Sequence, residues 1–527
     1  MSNLIIFMLL FICNFELPLR ANSFQRWDFL MHLKSFLGKR FNLDCLVPRK
    51  DKYIMTEETK NKYQATIGLE IHAELKTLTK MFCSCKNDPD EEKPNSNICE
   101  ICTAQPGTLP VLNKKAIEHV LRVGLACGSK IADFTEWDRK NYFYPDIPKG
   151  YQITQYKYPL VSGGSIKGVE LTRIHLEEDT GSSTHDAGAF SLVNFNRAGV
   201  PLMELVTEPV IHSGKQAADF AKELQLLLQY LGAGDANMEK GEMRVEANIS
   251  VSTTDKFGTK VEIKNLNSFR TVERAVAYEI ERQIDVIEKG EKVIQETRGW
   301  DEAKQKTYSQ RIKEDSHDYR YFPDPDLPKM VVSEVFDLKK LKEGLPELPW
   351  QRREKYLKNF GIKEQDADFF VNNVDFGKFF EGAITDFKGN KDLIKLASNY
   401  ISSDMVGFMS KDSNLKFPAP EMFSKIIIMV GEGKLSSRVA KDLVERLLKE
   451  NIDPEVVVNK EGLIQKNDEG AVKALAEKLV KDNPKVVADY KAGKEIALMF
   501  FVGQIMKATK GSSNPQVIKK VLIDLLS

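Results

Sequence analysis

Two carboxylates sit where a freely solvated side chain is not expected, and an earlier strand carries acids and a histidine on one face that alone would be an ordinary solvated one. In the stretch 66–75, Thr-Ile-Gly-Leu-Glu-Ile-His-Ala-Glu-Leu, strand alternation puts Ile67, Leu69 and Ile71 on one face and Glu70, His72 and Glu74 on the other. Glu178, in Arg-Ile-His-Leu-Glu-Glu-Asp-Thr-Gly, shares the alternation face of Ile174 and Leu176, and Glu204 lies between Met203 and Leu205 in a nearly continuous apolar run. A lone carboxylate buried there would cost several kcal/mol or would neutralise. Two compensations are open. A basic partner such as Arg173, Arg197 or Lys140 would serve a single acid, whereas a divalent cation would gather several acids and a histidine at once. Oxygen donors point to Mg²⁺ or Mn²⁺ bridging to a phosphate, with His72 a softer ligand than Mg²⁺ prefers. The expectation is that the three strands carrying Glu70, His72, Glu178 and Glu204 meet around a metal ion.

A second set is Cys83-Ser84-Cys85 and Cys99-Glu100-Ile101-Cys102, two close pairs flanking a loop rich in Asn, Asp and Pro. Such pairs suit tetrahedral Zn²⁺ with no open position, hence a structural role. The first pair has one intervening residue where two to four are usual, so buried thiols or a redox pair is the alternative. Cys13, Cys45 and Cys127 stand apart. Two boxes come third, Arg139-Lys140-Asn141-Tyr142-Phe143-Tyr144-Pro145-Asp146 and Asp318-Tyr319-Arg320-Tyr321-Phe322-Pro323-Asp324-Pro325-Asp326. Basic and aromatic neighbours can grip phosphates and stack bases, as single-stranded RNA ends require. They can equally build a tyrosine-rich core corner with rigid proline turns. Lys140 and Arg320 are the candidates for polar work. No Walker A sequence, nucleophile elbow or Rossmann glycine triplet appears, so any ATP use proceeds without the common phosphate loop.

These residues need elements to hold them. A chain of 527 residues is too long for one core and implies several domains. Lys plus Arg (76) equals Asp plus Glu (76), so a nucleic-acid contact would have to come from a local patch. Seven cysteines, four of them between 83 and 102, do not resemble a secreted disulfide framework and fit a reducing compartment with one metal cluster. The apolar run 4–13 is shorter than the roughly 20 residues that span a bilayer, and no membrane role is expected. Residues 31–52 are basic, aromatic and nearly free of acid, as in an organelle-import leader, which places the leader over 1–60 and the folded start near Asn61. If translation begins at Met1, a secretory signal is the alternative. From 63 to 328 short strands alternate with Gly, Asn and Pro turns. Val245, Ala247, Ile249 and Val251 alternate with polar residues, the pattern of antiparallel sheet. Helices are expected over 114–127, 215–231 and 270–289, and after Leu345 the periodicity is helical to the end. The fold class is therefore α+β: a mainly antiparallel-sheet domain with inserted helices and the cysteine cluster over 61–345, an all-α domain over 346–455 and a small all-α tail over 456–527.

At this point the strings IGLEIHAEL, PGTLPVLNK, DRKNYFYPDIPKGYQITQY, HLEEDTG, NRAGVPLMELVTEP, KNLNSFR and DYRYFPDPDLP closely resemble the B subunit of the glutamyl-tRNA(Gln)/aspartyl-tRNA(Asn) amidotransferase. The similarity runs on through LSSRVAKDL and FFVGQIMKATKGSSNP and covers almost everything after Lys62. With a leader ahead, it implies the mitochondrial form, a plastid or apicoplast being the alternative. The resemblance implies one subunit of a heterotrimer that converts misacylated Glu-tRNA(Gln) to Gln-tRNA(Gln). An amidase-type partner frees ammonia from glutamine, a small third subunit steadies the pair, and the B subunit phosphorylates the tRNA-borne glutamate with ATP. It further implies a cradle-shaped catalytic domain, a helical domain and a tail that reads tRNA shape. Carried over by motif, the Mg²⁺ ligands fall on His72, Glu178 and Glu204. Glu70, His72 and Lys140 take the catalytic roles, and Lys140 and Arg320 contact the ATP co-substrate. Cys83, Cys85, Cys99 and Cys102 match the zinc-bearing members; other members lack them. The rival readings are a non-catalytic tRNA-binding scaffold and a metal-dependent kinase or ligase for a free small molecule.

Overall fold

The structure, a computed structural model, describes residues 62–526 apart from 185–187, 189, 313–317, 451, 466–468, 492, 495, 510–512 and 514. The leader expected over 1–60 lies outside the described residues. The chain forms an α+β fold built on a ten-stranded sheet. Its central strand is β1 (Gln64–Glu74), in which apolar and polar residues alternate in burial as the sequence pattern requires.

Two short strands, β2 (Asp138–Asn141) and β3 (Tyr151–Thr154), pair antiparallel in a separate three-stranded sheet. The large sheet continues with β4 (Val169–Glu178), β5 (Pro201–Thr207), β6 (Met243–Ser252), β7 (Val261–Leu266), β8 (Glu296–Asp301) and β9 (Lys306–Ile312). In space the order is β9-β8-β7-β6-β1-β5-β4, followed by two two-residue strands, with a third, Ser165–Ile166, also paired to β4. Pairing is antiparallel except between β7 and β8, where Glu262 faces Thr297 in parallel register. A helix joins those two strands, as a parallel pair demands.

Three helices cover one face of the sheet: α1 (Lys114–Ala126), α2 (Gly214–Tyr230) and α3 (Phe269–Glu288). Each starts where a side chain accepts from the first exposed backbone N–H groups, Asn113 from Lys115 and Ala116, Ser213 from Gln216 and Ser268 from Thr271. Gly214 is dictated by packing, since a Cβ there would stand 2.2 Å from the Glu273 carbonyl oxygen of α3. Ile67, Leu69 and Ile71 of β1 join Val120, Phe220, Leu224, Val272 and Val276 of the helices in one core. The opposite face of the sheet carries the titratable residues.

Past Leu345 the chain is helical. A second core gathers Tyr356, Phe370, Phe380, Phe423, Ile426 and Leu443 and extends through Val458 and Leu463, beyond residue 455. A third gathers Val472, Phe501, Ile505, Ile518 and Leu522. No helix among the described residues is long and apolar enough to cross a membrane.

Candidate metal centre

The register of the sheet aligns one polar row. His72 pairs with Glu204 and with Arg244, and Glu204 pairs with His175, so Arg244, His72, Glu204 and His175 line up across β6, β1, β5 and β4. Residues opposite one another across antiparallel strands project to the same face. Glu204 Oε2 consequently lies between two imidazoles, 3.4 Å from His72 Nε2 and 3.5 Å from His175 Nε2. Glu70 Oε1 is 4.0 Å from His72 Nε2, and Glu177 Oε1 is 3.3 Å from His175 Nε2. Arg173 leans over the row, donating to Glu204 Oε1 at 3.2 Å and to His175 Nδ1 at 3.4 Å.

The small sheet closes the end of this row. Thr154 Oγ1 donates to Glu177 Oε1 at 2.6 Å and Gln152 Nε2 donates to Glu177 Oε2 at 2.9 Å. Lys140 on β2 is the register partner of Gln152 on β3, and its ammonium feels the fields of Glu177 and Glu204. The two aromatic boxes meet here as well. Phe322 pairs with Arg139, Asn141 N donates to Tyr319 O at 3.0 Å, and the rings of Tyr156 and Tyr321 stack 4.1 Å apart. Lys140 stands 5.2 Å from the Tyr319 ring centre.

Electrostatics follow from this crowding. Burial would raise Glu204, but His175, His72 and Arg173 hold its carboxyl far below the usual carboxylate range. Burial works against a charge on His72, yet the hydrogen bond and field of Glu204, with Glu177 and Glu246 behind, push its imidazole up to about 9. Burial, Glu204 and Glu246 push Glu70 upward. Burial opposes the charge of Lys140, and Glu177, Tyr321 and Glu204 outweigh it to hold the ammonium above the ordinary lysine value.

The donor set fits a divalent cation. Glu70, His72 and Glu204 form one triad of ligand atoms within 4.8 Å of one another, and His175, Glu177 and Glu204 form a second that shares Glu204. Two imidazoles with three carboxylates make a mixed nitrogen and oxygen site, more suited to Mn²⁺ or Zn²⁺ than to Mg²⁺ alone.

Two sequence expectations change. Glu178 does not join His72 and Glu204. It follows Glu177 on the same strand, so the pleat turns it to the other face, where it ion-pairs with Lys149 and accepts from Ile153 N at 3.0 Å beside Cys83, Cys102 and Tyr151. Glu177 takes the place on the row. Arg320 is not brought to the row either: it has a positive φ of 45°, lies at the surface and faces Asp318 at 3.7 Å. The sequence reading missed His175 and Glu177: their spacing of two puts them on one face of a strand, but that this strand lies beside Glu204 is set by the pairing and not by any local signal.

The cysteines converge as expected. The sulfur atoms of Cys83, Cys85, Cys99 and Cys102 lie within 4.8 Å of one another, all as free thiols. Cys99 Sγ and Cys102 Sγ are 3.9 Å apart, close to the edge of about 3.8 Å that Zn–S bonds of about 2.3 Å give in a tetrahedron. Cys99 N donates to Cys102 Sγ at 3.1 Å. The hydrogen bond from Cys83 outweighs burial and, with Cys99 and Lys80, takes the Cys102 thiol down to about 5.

The chain is similar to known proteins along most of its length. The family model described as GatB/GatE catalytic domain matches residues 65–336, and the one described as GatB domain matches residues 378–526. The chain is 44% identical over 479 residues to the B subunit of the aspartyl/glutamyl-tRNA(Asn/Gln) amidotransferase of Caldicellulosiruptor saccharolyticus, covering 88% of this chain and 98% of that protein. It is 42% identical to the protein of the same name from Persephonella marina, over 88% of this chain and 100% of that one. With the Thermodesulfovibrio yellowstonii protein of that name the identity is 43%, over 88% and 99%. With both family models matched in order and relatives matched along nearly their whole length, the chain belongs to the family of aspartyl/glutamyl-tRNA(Asn/Gln) amidotransferase B subunits.

Proposed function

We propose that this chain is the component of a tRNA-dependent amidotransferase in which the side-chain carboxylate of Glu-tRNA(Gln) is phosphorylated by ATP before ammonia converts it to the amide of Gln-tRNA(Gln). The row Glu70, His72, Glu204, His175 and Glu177, with Lys140 at its end, is the observation that carries the reading. A divalent cation, Mg²⁺ or the Mn²⁺ that the two imidazoles favour, would be held by these residues and would offset charge on phosphate oxygens. Lys140 contributes fixed positive charge on the same side, aimed where charge develops on the transferred group. In the first step a carboxylate oxygen of the tRNA-borne glutamate forms a bond to the γ-phosphorus as the bond to ADP breaks. In the second, ammonia forms a bond to the carbonyl carbon, phosphate leaves and the nitrogen gives up a proton. The first nucleophile is already an anion, so no general base is required there. Tyr142, Tyr319 and Tyr321 offer ring faces beside Lys140 on which the bases of an RNA end can stack.

The remaining assignments are part of the same proposal. An amidase-type subunit supplies ammonia and a small third subunit completes the complex. The four cysteines hold a structural Zn²⁺, the helical tail contacts tRNA, and the residues before 61 direct import into mitochondria or a plastid. The decisive variant is Glu204→Gln, which keeps the shape of the side chain and removes the charge shared by both triads. It is expected to bind charged tRNA(Gln) as the unmodified chain does and to release no ADP in its presence. ADP release at the unmodified rate in the assembled complex would refute the assignment.

A further inference from the structure

Lys80 is fully buried, with 0% of its surface exposed. Its backbone N–H donates to Cys85 O at 2.9 Å, which sews it into the turn bearing Cys83 and Cys85. Its ammonium donates to Phe195 O at 3.2 Å and points at Cys102 Sγ, 4.0 Å away. None of its side-chain contacts among the described residues is to a carboxylate. A buried ammonium with one carbonyl for polar company is unfavourable unless an anion lies near. The anion on offer is the cysteine cluster. Four thiolates around Zn²⁺ carry a net charge of two negatives, and neutral thiols carry none.

We propose that Lys80 is the buried counter-cation of the cysteine centre, offsetting one of the two negative charges of a Zn²⁺ tetrathiolate and tying that centre to the strand that carries Glu204. The inference rests on the zinc reading above. On loading, the thiols that still carry a proton release it to solvent as four Zn–S bonds form, with the Lys80 side chain lying beside Cys102 Sγ. The tie runs through the backbone. Phe195 O is held by Lys80, Gly199 O accepts from Met81 N at 2.7 Å, and Pro201 O accepts from Leu75 N at 2.8 Å, so the loop entering β5 is pinned from the cysteine side. Gly199 in that loop has a φ of +86°, a conformation that favours glycine, and it lies against the lysine stem, where a Cβ would come within 3.6 Å of Lys80 Cδ. The centre thus sets where β5 begins, three residues before Glu204.

The test uses the full-length chain and Zn²⁺. Zinc per chain is measured by plasma mass spectrometry, and its release is followed with a chromogenic chelator. The unmodified chain is expected to hold one zinc, and Lys80→Met to release it about 10- to 100-fold faster, the scale on which supporting contacts act on metal sites. Equal release rates would overturn the role of Lys80 and leave the zinc reading standing. An unmodified chain without zinc would overturn both. A second measurement is made on the zinc-loaded chain: Lys80→Met should lower the unfolding midpoint when the cysteines are intact and raise it when all four are alanine, because only in the second background is no thiolate left to compensate the cation. The same sign in both backgrounds would overturn the proposal. If Lys80→Met does not fold with the cysteines intact, the four-alanine background decides, and no gain there counts against it.

Discussion

Glu177 and Glu178 are adjacent residues with unrelated surroundings. Glu177 faces His175, Thr154, Gln152 and the Glu204 carboxylate, while Glu178 faces Lys149 and the Ile153 N–H. Substituting each by glutamine separates their roles. Glu177→Gln removes a charged donor from a triad and is expected to weaken Mn²⁺ binding by about tenfold or more, read by titration calorimetry or by loss of the free-ion resonance signal. Glu178→Gln leaves both triads whole and is expected to bind Mn²⁺ as before. The reverse order would move the centre to the other face of the sheet. Alternation along β1 made Glu70 and His72 legible as one polar face, and the apolar setting of Glu204 marked it as an acid needing compensation. The choice between two consecutive glutamates was not legible, because alternation assigns faces within one strand and says nothing about which face a neighbouring strand presents. That is decided by the pairing of Glu204 with His175, a relation between residues 29 positions apart in sequence.

At the level of elements, caps and periodicity located the helices well: those expected at 114–127, 215–231 and 270–289 run over Lys114–Ala126, Gly214–Tyr230 and Phe269–Glu288. Strand order was not legible, since β1 takes its neighbours from 201–207 and 243–252 and no local signal names them. Helix α1 also carries a titrating residue that the sequence reading passed over. His119 is buried, with Nε2 3.1 Å from Lys76 O and Nδ1 without a hydrogen-bond partner. The carbonyl requires a proton on Nε2, and the buried Nδ1 has no acceptor for a second one, which favours the neutral ring. Burial, then the nearby Lys115, takes it down to about 4 from an ordinary value of 6.5. Between those values the unfolded chain binds a proton that the native chain refuses. Stability from keeping His119 neutral is therefore complete above pH 6.5 and is lost as pH falls toward 4, with a limiting slope of about 1.4 kcal/mol per pH unit for one proton. In His119→Asn, urea unfolding is expected to show a smaller loss of stability between pH 7 and pH 5 than in the unmodified chain. Parallel losses in the two proteins would show that His119 does not carry this dependence.

Over the whole folded region, the change of character after Leu345 was legible from composition, but the means by which the sheet region and the helices are joined was not. Helix α2 serves two cores at once. Phe220 and Leu224 pack under the sheet, whereas Leu226 belongs to the second core and Tyr230 packs against it, donating from its hydroxyl to Val371 O at 2.9 Å. A single apolar stripe and a helix with two buried sides read alike when only the spacing is known. The joint is fixed by a buried ion pair: Arg353 donates to both oxygens of Glu223 on α2 at 3.0 and 3.1 Å, and from Nε to Asp368 at 2.6 Å. Glu223 is almost wholly enclosed, and its other cation, Lys167, is 3.9 Å away and partly exposed. Arg353→Met would strand a buried carboxylate, which typically costs about 3–5 kcal/mol. Removing the carboxylate's charge as well, in Glu223→Gln with Arg353→Met, eliminates the stranded group. The double variant is therefore expected to recover more than about 1 kcal/mol of what the sum of the two single losses would be, in equilibrium urea unfolding of the full-length chain. Asp368→Asn, which touches the same arginine from a half-exposed position, should cost about 1 kcal/mol or less. Strictly additive losses would mean that the hydrophobic contacts of Leu226 and Tyr230 hold the two regions together, with the ion pair incidental. Non-additivity would mean that the frame holding the polar row is locked to the helices through this enclosed charge, so that a change in the helical region can reach β1 and β5 through α2.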